Sequence, residues 1–377
     1  MQYIKHENLQ SETSLLGFGL MRLPADSDGN ILEEEATRMI DTAYENGVNY
    51  FDTAYGYMNE QSESFAGRAL CSRYPRDSFY LADKLPLWKF ENRKEAEEVF
   101  REQMQRMQTD YVDFHLLHAM NKERFEKIKA EGIDEWQEKK KKEGVFRRIG
   151  FSFHDKPEVL DEIFSYKKWD FCQIQINYLD YESYQSKEQY EVCRKHNVPF
   201  VVMEPIKGGT LANPHDDVRK LLKHYRPDLS PAAVALRFAA SLDNVVTVLS
   251  GMSTMQQLEE NLKTFSEFRE LTAEEEKMYA EARDIFRELP LIPCTRCKYC
   301  EDCPSEIEMW ELFTRYNNYI SFNNAEGLVK YVKERDEEKL PPACIKCYYC
   351  EGQCPQHIKI TDEIQKVYQL ALKLAAE

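Results

Sequence analysis

Two short runs of cysteine near the C-terminus constrain the fold of this chain more than any other feature. They hold eight of its eleven cysteines, spaced C-x2-C-x2-C-x2-C-P in the first run and C-x2-C-x2-C-x3-C-P in the second. The eight residues are Cys294, Cys297, Cys300, Cys303, Cys344, Cys347, Cys350 and Cys354. Three thiolates set two residues apart wrap one face of an iron–sulfur cube, whereas a fourth that precedes a proline reaches a different cube. The two runs therefore predict two [4Fe–4S] clusters.

This spacing also predicts crossed ligation. The first three cysteines of the first run are expected to share a cluster with Cys354, and those of the second run with Cys303. Three other interpretations remain: a disulfide framework, a structural zinc site and redox-active thiols. Zinc sites usually pair two C-x2-C units across a loop, and disulfide frameworks suit small secreted domains. The scattered Cys71, Cys172 and Cys193 are expected to act as buried small hydrophobic side chains.

The composition is that of a globular chain long enough for two domains. Its 377 residues are 42% hydrophobic and 31% charged, and no apolar run is long enough to span a bilayer. A formal net charge of −16 argues against binding to nucleic acid or to an acidic membrane, and it suits a basic redox partner. Because residues 1–10 are charged and polar rather than apolar, and many thiols follow, we expect the reducing cytoplasm.

Short apolar runs alternate with amphipathic helical stretches over the first 265 or so residues. The predicted strands are residues 15–21, 50–54, 79–85, 111–118, 147–153, 171–177, 200–205 and 245–251. Eight strands that alternate with helices indicate a (β/α)8 barrel, with the residues before the first strand forming a hairpin that plugs the lower mouth. A doubly wound sheet is the alternative, but no G-x-G-x-x-G turn follows the first strand. We expect the barrel to occupy residues 1–285 and a small, mostly helical, ferredoxin-like domain to occupy residues 286–377.

Four side chains at the predicted C-terminal ends of strands suit proton transfer coupled to hydride transfer. Asp52 and Tyr57 follow the second strand, Lys84 ends the third, and His118 ends the fourth. A neighbouring ammonium lowers the pKa of a tyrosine phenol, and an aspartate keeps that lysine charged and in place. A histidine in the same pocket orients a carbonyl oxygen by a hydrogen bond.

With these residues the chain resembles the aldo-keto reductase family, and in particular its branch with a C-terminal cluster domain. The matching stretches are Leu16-Gly17-Phe18-Gly19, Phe51-Asp52-Thr53-Ala54-Tyr55-Gly56-Tyr57, Ala82-Asp83-Lys84-Leu85, Tyr111-Val112-Asp113-Phe114-His115-Leu116-Leu117-His118, Ile149-Gly150-Phe151-Ser152, Gln173-Ile174-Gln175 and Glu260-Asn261. The family's spacing selects Tyr57 over Tyr55 and His118 over His115. The resemblance implies Tyr57 as the proton donor, tuned by Lys84 and Asp52, with His118 orienting the substrate.

The resemblance also implies NAD(P)H lying extended across the top of the barrel. Ser152 and Gln173 would hold the nicotinamide amide, with Tyr178 near its ring. The remaining coenzyme contacts implied are Lys207, Gly208 and Gly209 near the pyrophosphate, and Glu260 and Asn261 near the adenine.

This sequence departs from the family at two coenzyme contacts. Phe153 replaces the asparagine that usually follows the nicotinamide-binding serine. The cations that NADPH-using members place near the 2′-phosphate are replaced by Gly251, Met252 and Gln257, and only Ser253 and Thr254 remain as weaker donors. The choice between NADH and NADPH therefore stays open.

The function predicted is reduction of a small-molecule carbonyl, or oxidation of an alcohol. A nicotinamide gives up two electrons together, whereas each cluster accepts one, so the role of the clusters stays open. They are structural, or they carry electrons from a ferredoxin or another redox partner, or the barrel binds a flavin. The second hypothesis is a non-catalytic electron-transfer or binding module. Residues 88–91 and 178–184 indicate an aromatic pocket without identifying the substrate.

Overall fold

Strands and helices alternate along most of the chain, as the sequence predicts. The computed structural model describes residues 1–182 and 185–376. Its strands are β1 Tyr3–His6, β2 Ser11–Ser14, β3 Leu16–Gly19, β4 Tyr50–Asp52, β5 Tyr80–Pro86, β6 Val112–Met120, β7 Phe146–Phe153, β8 Phe171–Gln175, β9 Phe200–Met203 and β10 Val245–Gly251. Its α-helices are α1 Glu33–Glu45, α2 Ser62–Ala66, α3 Arg93–Met107, α4 Lys122–Ala130, α5 Ile133–Lys142, α6 Pro157–Tyr166, α7 Ser186–Lys195, α8 Asp216–Tyr225, α9 Pro231–Ala240, α10 Met255–Ser266, α11 Ala273–Arg287, α12 Met309–Phe322, α13 Ala325–Glu334, α14 Tyr349–Gln353 and α15 Ile360–Ala376.

Eight parallel strands close into a barrel in the order β10-β3-β4-β5-β6-β7-β8-β9. Each of the eight predicted strands is present, and the predicted (β/α)8 fold is confirmed. Both faces of these strands are covered, so β6, for example, is buried along its whole length. The C-terminal ends of all eight strands lie at one end of the barrel, where the chemistry of such barrels is found.

The N-terminal hairpin is also present. β1 pairs antiparallel with β2, and Leu9 in the turn between them packs into the barrel core beside Tyr50, Phe114 and Phe171. The Arg148 guanidinium fixes this turn, because its Nε donates to the Leu9 carbonyl at 2.6 Å and its Nη2 to that of Gln10 at 2.7 Å. The hairpin thus fills the end of the barrel opposite the C-terminal strand ends.

Local signals explain where several helices begin and end. The Asn92 side chain accepts a hydrogen bond from the Glu95 amide and starts α3, and Thr272 forms a capping box with Glu275 at the start of α11. Gly47, with φ +86°, follows α1 in the left-handed region that glycine adopts without strain.

The chain divides into two compact units. The first contains residues 1–205 and 235–271, with the whole barrel sheet, and the second contains residues 206–234 and 272–377. In the first unit, Cys172 and Cys193 are fully buried, as predicted, and their sulfurs lie 3.6 Å apart. Cys71, for which the same was predicted, is only partly buried.

The core of the second unit is built by its C-terminal helices together with both cysteine runs. Leu312 and Phe313 of α12, Leu328 of α13, and Ile364 and Val367 of α15 pack into one apolar cluster. Cys300 and Cys350 are buried in the same cluster, so the folding of this unit and the shaping of its thiol sites depend on the same contacts.

In the described part of the chain, none of the helices has both the length and the apolar composition that crossing a bilayer requires.

Candidate active site and cluster sites

The centre of the barrel site is a buried ion pair. Lys84, on β5, has no exposed surface, and its Nζ donates to Asp52 Oδ1 at 2.5 Å and to the Thr53 carbonyl at 2.9 Å. Burial raises the pKa of the Asp52 carboxyl, and the Lys84 ammonium opposes that rise. The two partners come from neighbouring strands, since β4 pairs with β5.

Tyr57 faces this ammonium. Lys84 Nζ lies 4.7 Å from the centroid of the Tyr57 ring, and the Tyr57 side chain is buried. Tyr55 has a different environment, because its ring lies beneath the Arg106 guanidinium at 4.4 Å. The three residues after Tyr57, residues 58–60, all have positive φ between 52 and 62°, a strained conformation that only surrounding contacts maintain.

His118 lies on the other side of Tyr57. The two rings meet edge to face with centroids 6.0 Å apart, and Trp88 packs on the imidazole at 4.9 Å. Strand β6 changes register after Leu117, and Ala119 has φ +55°, so a bulge aims His118 into the site. Burial, aided by the Lys84 charge, lowers the pKa of His118 well below its usual value. The imidazole is therefore neutral near pH 7.

His115 is buried elsewhere. Its ring stacks on Phe146 with centroids 3.7 Å apart, and its Nδ1 lies 3.0 Å from Gln137 Nε2. The structure thus brings together the four side chains that the sequence singled out, and it separates His115 and Tyr55 from them.

Ser152 and Gln173 are opposite each other on the paired strands β7 and β8. Ser152 Oγ accepts a hydrogen bond from the Ala119 amide at 2.7 Å, which leaves its own hydroxyl proton for a further acceptor. Gln173 is buried, and its Oε1 has no hydrogen-bond partner among the described residues. A carboxamide such as that of nicotinamide has an N–H group for the unpaired Gln173 oxygen and a carbonyl oxygen for the Ser152 hydroxyl. These residues therefore fit the coenzyme that the resemblance implies.

The other residues expected to contact the coenzyme lie on separate elements of the chain. Tyr178 is fully buried, and its ring meets Phe238 edge to face. Asn261, on α10, donates to Ser250 Oγ at 3.0 Å, and Glu260 precedes it as a partly buried residue. Tyr184, in the predicted aromatic stretch, lies outside the described residues.

Lys207, Gly208 and Gly209 form a turn in the second unit. Their φ values are +47, +60 and +100°, and Lys207 is buried. A Cβ on Gly208 would lie 2.4 Å from the carbonyl oxygen of Thr295, so only glycine fits there. Thr295 lies between Cys294 and Cys297, so this turn packs directly on the first cysteine run.

The segment after β10 carries polar groups that bond to one another. Thr254 caps α10 by accepting from the Gln257 amide, and Gln257 Oε1 accepts from the Ser253 amide at 2.8 Å. Ser253 Oγ donates to the Arg22 carbonyl at 2.8 Å. Ser253, Thr254 and Gln257 thus hold this turn together.

The eight cysteines surround two cavities, each lined by thiols from both runs. One cavity is lined by Cys294, Cys297, Cys300 and Cys354, and the other by Cys303, Cys344, Cys347 and Cys350. Met309 lines both, so the cavities are neighbours. Within residues 1–182 and 185–376, no three Cys, His, Asp or Glu side chains converge on a point that a single ion would fill. Four thiols around a cavity are the donor set of an iron–sulfur cube, so the residues present fit this group.

The two runs share a backbone pattern. Arg296 and Lys298 flank Cys297 with φ +57 and +65°, and Lys346 and Tyr348 flank Cys347 with φ +54 and +58°. These left-handed residues curl each run so that its three thiols face one cavity. Burial raises the pKa of the Cys350 thiol to about 11 and that of Cys300 also, so cations in the cavities would be needed to hold these groups as thiolates.

Sequence reasoning missed two arginines. Arg124 of α4 lies 5.3 Å from the Trp88 ring and donates to the Ala119 carbonyl at 2.7 Å, and thereby supports the bulge beside His118. Arg22, in the loop after β3, packs beside Gly251 at the end of β10. Asn121, a helix cap directly after β6, is a sequence signal that places Arg124 near the site, whereas Arg22 has no such signal.

Comparison with known proteins gives the same two parts. The model of the aldo/keto reductase family matches residues 15–284, and that of a 4Fe-4S dicluster domain matches residues 293–360. An uncharacterized oxidoreductase of Bacillus subtilis, YqkF, is 27% identical over 71% of this chain and 91% of its own length. The L-galactose dehydrogenase of Arabidopsis thaliana is 26% identical over 72% of this chain and 90% of its own length.

Solved structures resemble the barrel as well. The holo form of aldo-keto reductase AKR11C1 from Bacillus halodurans superposes with a TM-score of 0.62 at 29% identity, over 75% of this chain and 96% of its own. An aldo-keto reductase from Klebsiella pneumoniae solved with NADPH gives 0.59 at 18% identity, over 72% of this chain and 92% of its own, a likeness in fold alone. The family match covers more than two thirds of the sequence. The chain therefore belongs to the aldo/keto reductase family of oxidoreductases, with a 4Fe-4S dicluster domain C-terminal to its barrel.

Proposed function

We propose that this protein is an NAD(P)-linked oxidoreductase that interconverts a small-molecule carbonyl and its alcohol, with Tyr57 as the proton donor. The observation that carries the proposal is the convergence of four buried groups. Lys84 Nζ lies 2.5 Å from Asp52 Oδ1 and 4.7 Å from the Tyr57 ring centroid, and His118 packs against the same tyrosine.

The proton moves through Tyr57. The Lys84 ammonium stabilises a phenolate more than a phenol, so it makes release of the tyrosine proton to a carbonyl oxygen easier. Asp52 balances the lysine charge and fixes its position, because an unpaired ammonium at this depth would be costly. The neutral imidazole of His118 orients the carbonyl oxygen, and Trp88, which is 40% exposed, forms an apolar wall beside it.

The coenzyme supplies the hydride that the carbonyl carbon accepts. Ser152 and Gln173 would hold its carboxamide, since the Gln173 Oε1 lacks any other partner in the described residues and the Ser152 hydroxyl has a proton to donate. Lys207, Gly208 and Gly209 are proposed to approach the pyrophosphate, Tyr178 the nicotinamide ring, and Glu260 and Asn261 the adenine.

The second part of the proposal concerns residues 286–377, which we assign to two [4Fe–4S] clusters. The cavity linings favour crossed ligation, with Cys354 completing the first-run cluster and Cys303 the second-run cluster. Because Met309 borders both cavities, the clusters would be close enough to exchange electrons with each other. The barrel is assigned to residues 1–285.

Replacement of Tyr57 by phenylalanine tests the catalytic assignment. Phenylalanine fills the same space but has no proton to give, so turnover of a panel of aldehydes and ketones should fall by about 100-fold or more. Coenzyme affinity, measured by quenching of protein fluorescence, should stay within about twofold of the wild-type value.

The matched control is Tyr55→Phe. Tyr55 is two residues away and equally buried, but its ring faces Arg106 rather than Lys84, so its loss should leave turnover nearly unchanged. Wild-type turnover in Tyr57→Phe, or loss of turnover in Tyr55→Phe instead, would reject Tyr57 as the proton donor.

A further inference from the structure

Thr295, a residue of the second unit, lies between two sites of different chemistry. It is buried, and it lines the first-run cavity, the one that Cys354 completes. Its backbone also meets the turn at Lys207–Gly209, because a Cβ on Gly208 would lie 2.4 Å from the Thr295 carbonyl oxygen and 2.7 Å from its Cα. One residue therefore borders both the cavity that suits a cluster and the turn proposed to approach the coenzyme.

The contact between the turn and Thr295 leaves little room for either to move alone. Without a Cβ on Gly208 the two backbones touch directly, and closely packed backbone transmits a displacement that a rotating side chain would absorb. The turn is also held together internally, since the amides of Gly209 and Leu211 both donate to the Ile206 carbonyl at 3.1 Å. The turn therefore follows Thr295 as one piece.

The next residue of the turn has room beside it. A Cβ on Gly209 would meet no described atom within 4 Å, although Gly208, directly before it, is in close contact with Thr295. A phosphate approaches backbone amides closely where no side chain intervenes. The turn is thus supported by Thr295 at one residue and accessible at the following one.

The conformation around Thr295 depends on the occupancy of the first-run cavity. Cys294 and Cys297, on either side of Thr295 in the sequence, both line this cavity. Arg296 has φ +57°, a strained conformation that only surrounding contacts maintain. Bonds from a cluster to both cysteines would fix the two ends of this short segment, because metal–ligand bonds couple to local folding.

We propose that Thr295 is a positioning residue that couples coenzyme binding to the cluster of the first-run cavity. The bound cluster fixes Thr295, and Thr295 holds the turn at Lys207–Gly209 in the conformation that receives the coenzyme. This inference rests on the coenzyme and the clusters named in the proposed function. The coupling transfers no electron. The second-run cavity, which Cys303 completes, is not lined by Thr295 and has no such effect.

The test compares Cys354→Ala with Cys303→Ala, each of which removes one ligand from one cavity. Dissociation constants for NADPH and NADH are measured by anaerobic equilibrium dialysis of the full-length protein, with the iron content measured in parallel. We expect Cys354→Ala to raise both constants by about 5- to 50-fold. Cys303→Ala is the matched control and should leave them within about twofold. Cys303 belongs to the same run as Thr295 and Cys354 does not, so the result depends on the cavity and not on closeness in sequence.

A reciprocal measurement uses the wild-type protein. Because coupling acts in both directions, saturating NADPH should slow the loss of iron to bathophenanthroline disulfonate for about half of the iron, by about 5- to 50-fold. This measurement decides the question where a cysteine variant keeps all its iron or fails to fold.

Gly208→Ala tests the route of the coupling. The added Cβ would push the turn away from Thr295, so coenzyme affinity should fall, and adding Cys354→Ala should then cause no further fall. A full additional fall in the double variant would show that the coupling does not pass through this contact.

Equal affinities in Cys354→Ala and Cys303→Ala after loss of one cluster from each, or no slowing of iron loss by coenzyme, overturn this inference alone if the wild type binds coenzyme. A wild-type protein that binds neither NADPH nor NADH overturns the proposed function and this inference together.

Discussion

Neighbouring residues of the same type in the barrel differ in the groups that they contact. His115 and His118 are three positions apart on β6, yet the bulge turns only His118 toward Tyr57 and Lys84. The spacing of the family's motif selects His118 over His115 from the sequence alone. Spacing did not reveal Arg22, because its position beside Gly251 depends on the pairing of β3 with β10, which are more than 200 residues apart.

The buried His115 predicts how stability depends on pH. Burial lowers its pKa to about 3, from 6.5 in the unfolded chain. Between these values the unfolded chain binds a proton that the folded chain does not, so the free energy of unfolding decreases as pH falls. In His115→Phe the free energy of unfolding should therefore decrease by about 1.4 kcal/mol less per pH unit than in the wild type. The measurement is urea unfolding from about pH 6 down to about pH 4.

His118→Phe should also reduce the slope, because burial lowers the pKa of His118 as well. An identical slope in the wild type and in His115→Phe would show that His115 is protonated in the folded protein over this range.

At the scale of elements, patterns that depend on local sequence were predicted well. The eight barrel strands follow from short apolar runs. The contact of Gly208 with Thr295 was not predictable, because it joins the turn after β9 to a cysteine run nearly 90 residues away. The cysteine spacing predicted which thiols would share a cluster, and the same two sets of thiols line the two cavities.

Crossed ligation between the two runs gives a prediction for paired variants. Cys354→Ala should reduce the iron content from about eight to about four per chain, because one cube loses a ligand. Adding Cys300→Ala should cause no further loss, since both residues line the same cavity. Adding Cys350→Ala instead should remove nearly all iron, because that residue lines the other cavity.

Iron and acid-labile sulfide are measured after anaerobic purification, with Cys193→Ala as the control outside both cavities. The reverse result, with further iron loss on adding Cys300→Ala but none on adding Cys350→Ala, would show that each run completes its own cluster.

For the whole molecule, the sequence predicted both parts but not whether electrons pass from one to the other. The barrel site is suited to hydride, which transfers two electrons together, and each cluster accepts one electron. Conversion between the two needs a group with a stable one-electron state. The side chains described in the site, among them Tyr57, His118 and Lys84, have no stable one-electron state under mild conditions.

This mismatch predicts the outcome of an anaerobic titration. NADPH or NADH alone should leave the visible absorbance of the clusters unchanged, because the barrel residues transfer protons and orient hydride but do not split an electron pair. Dithionite, a one-electron donor, should bleach the same absorbance, which establishes that the clusters are redox-active in the sample. The titration is then repeated with added flavin. Bleaching by coenzyme only in the presence of flavin would identify the missing converter, whereas bleaching by coenzyme alone would contradict the prediction and require a converter already bound to the purified protein.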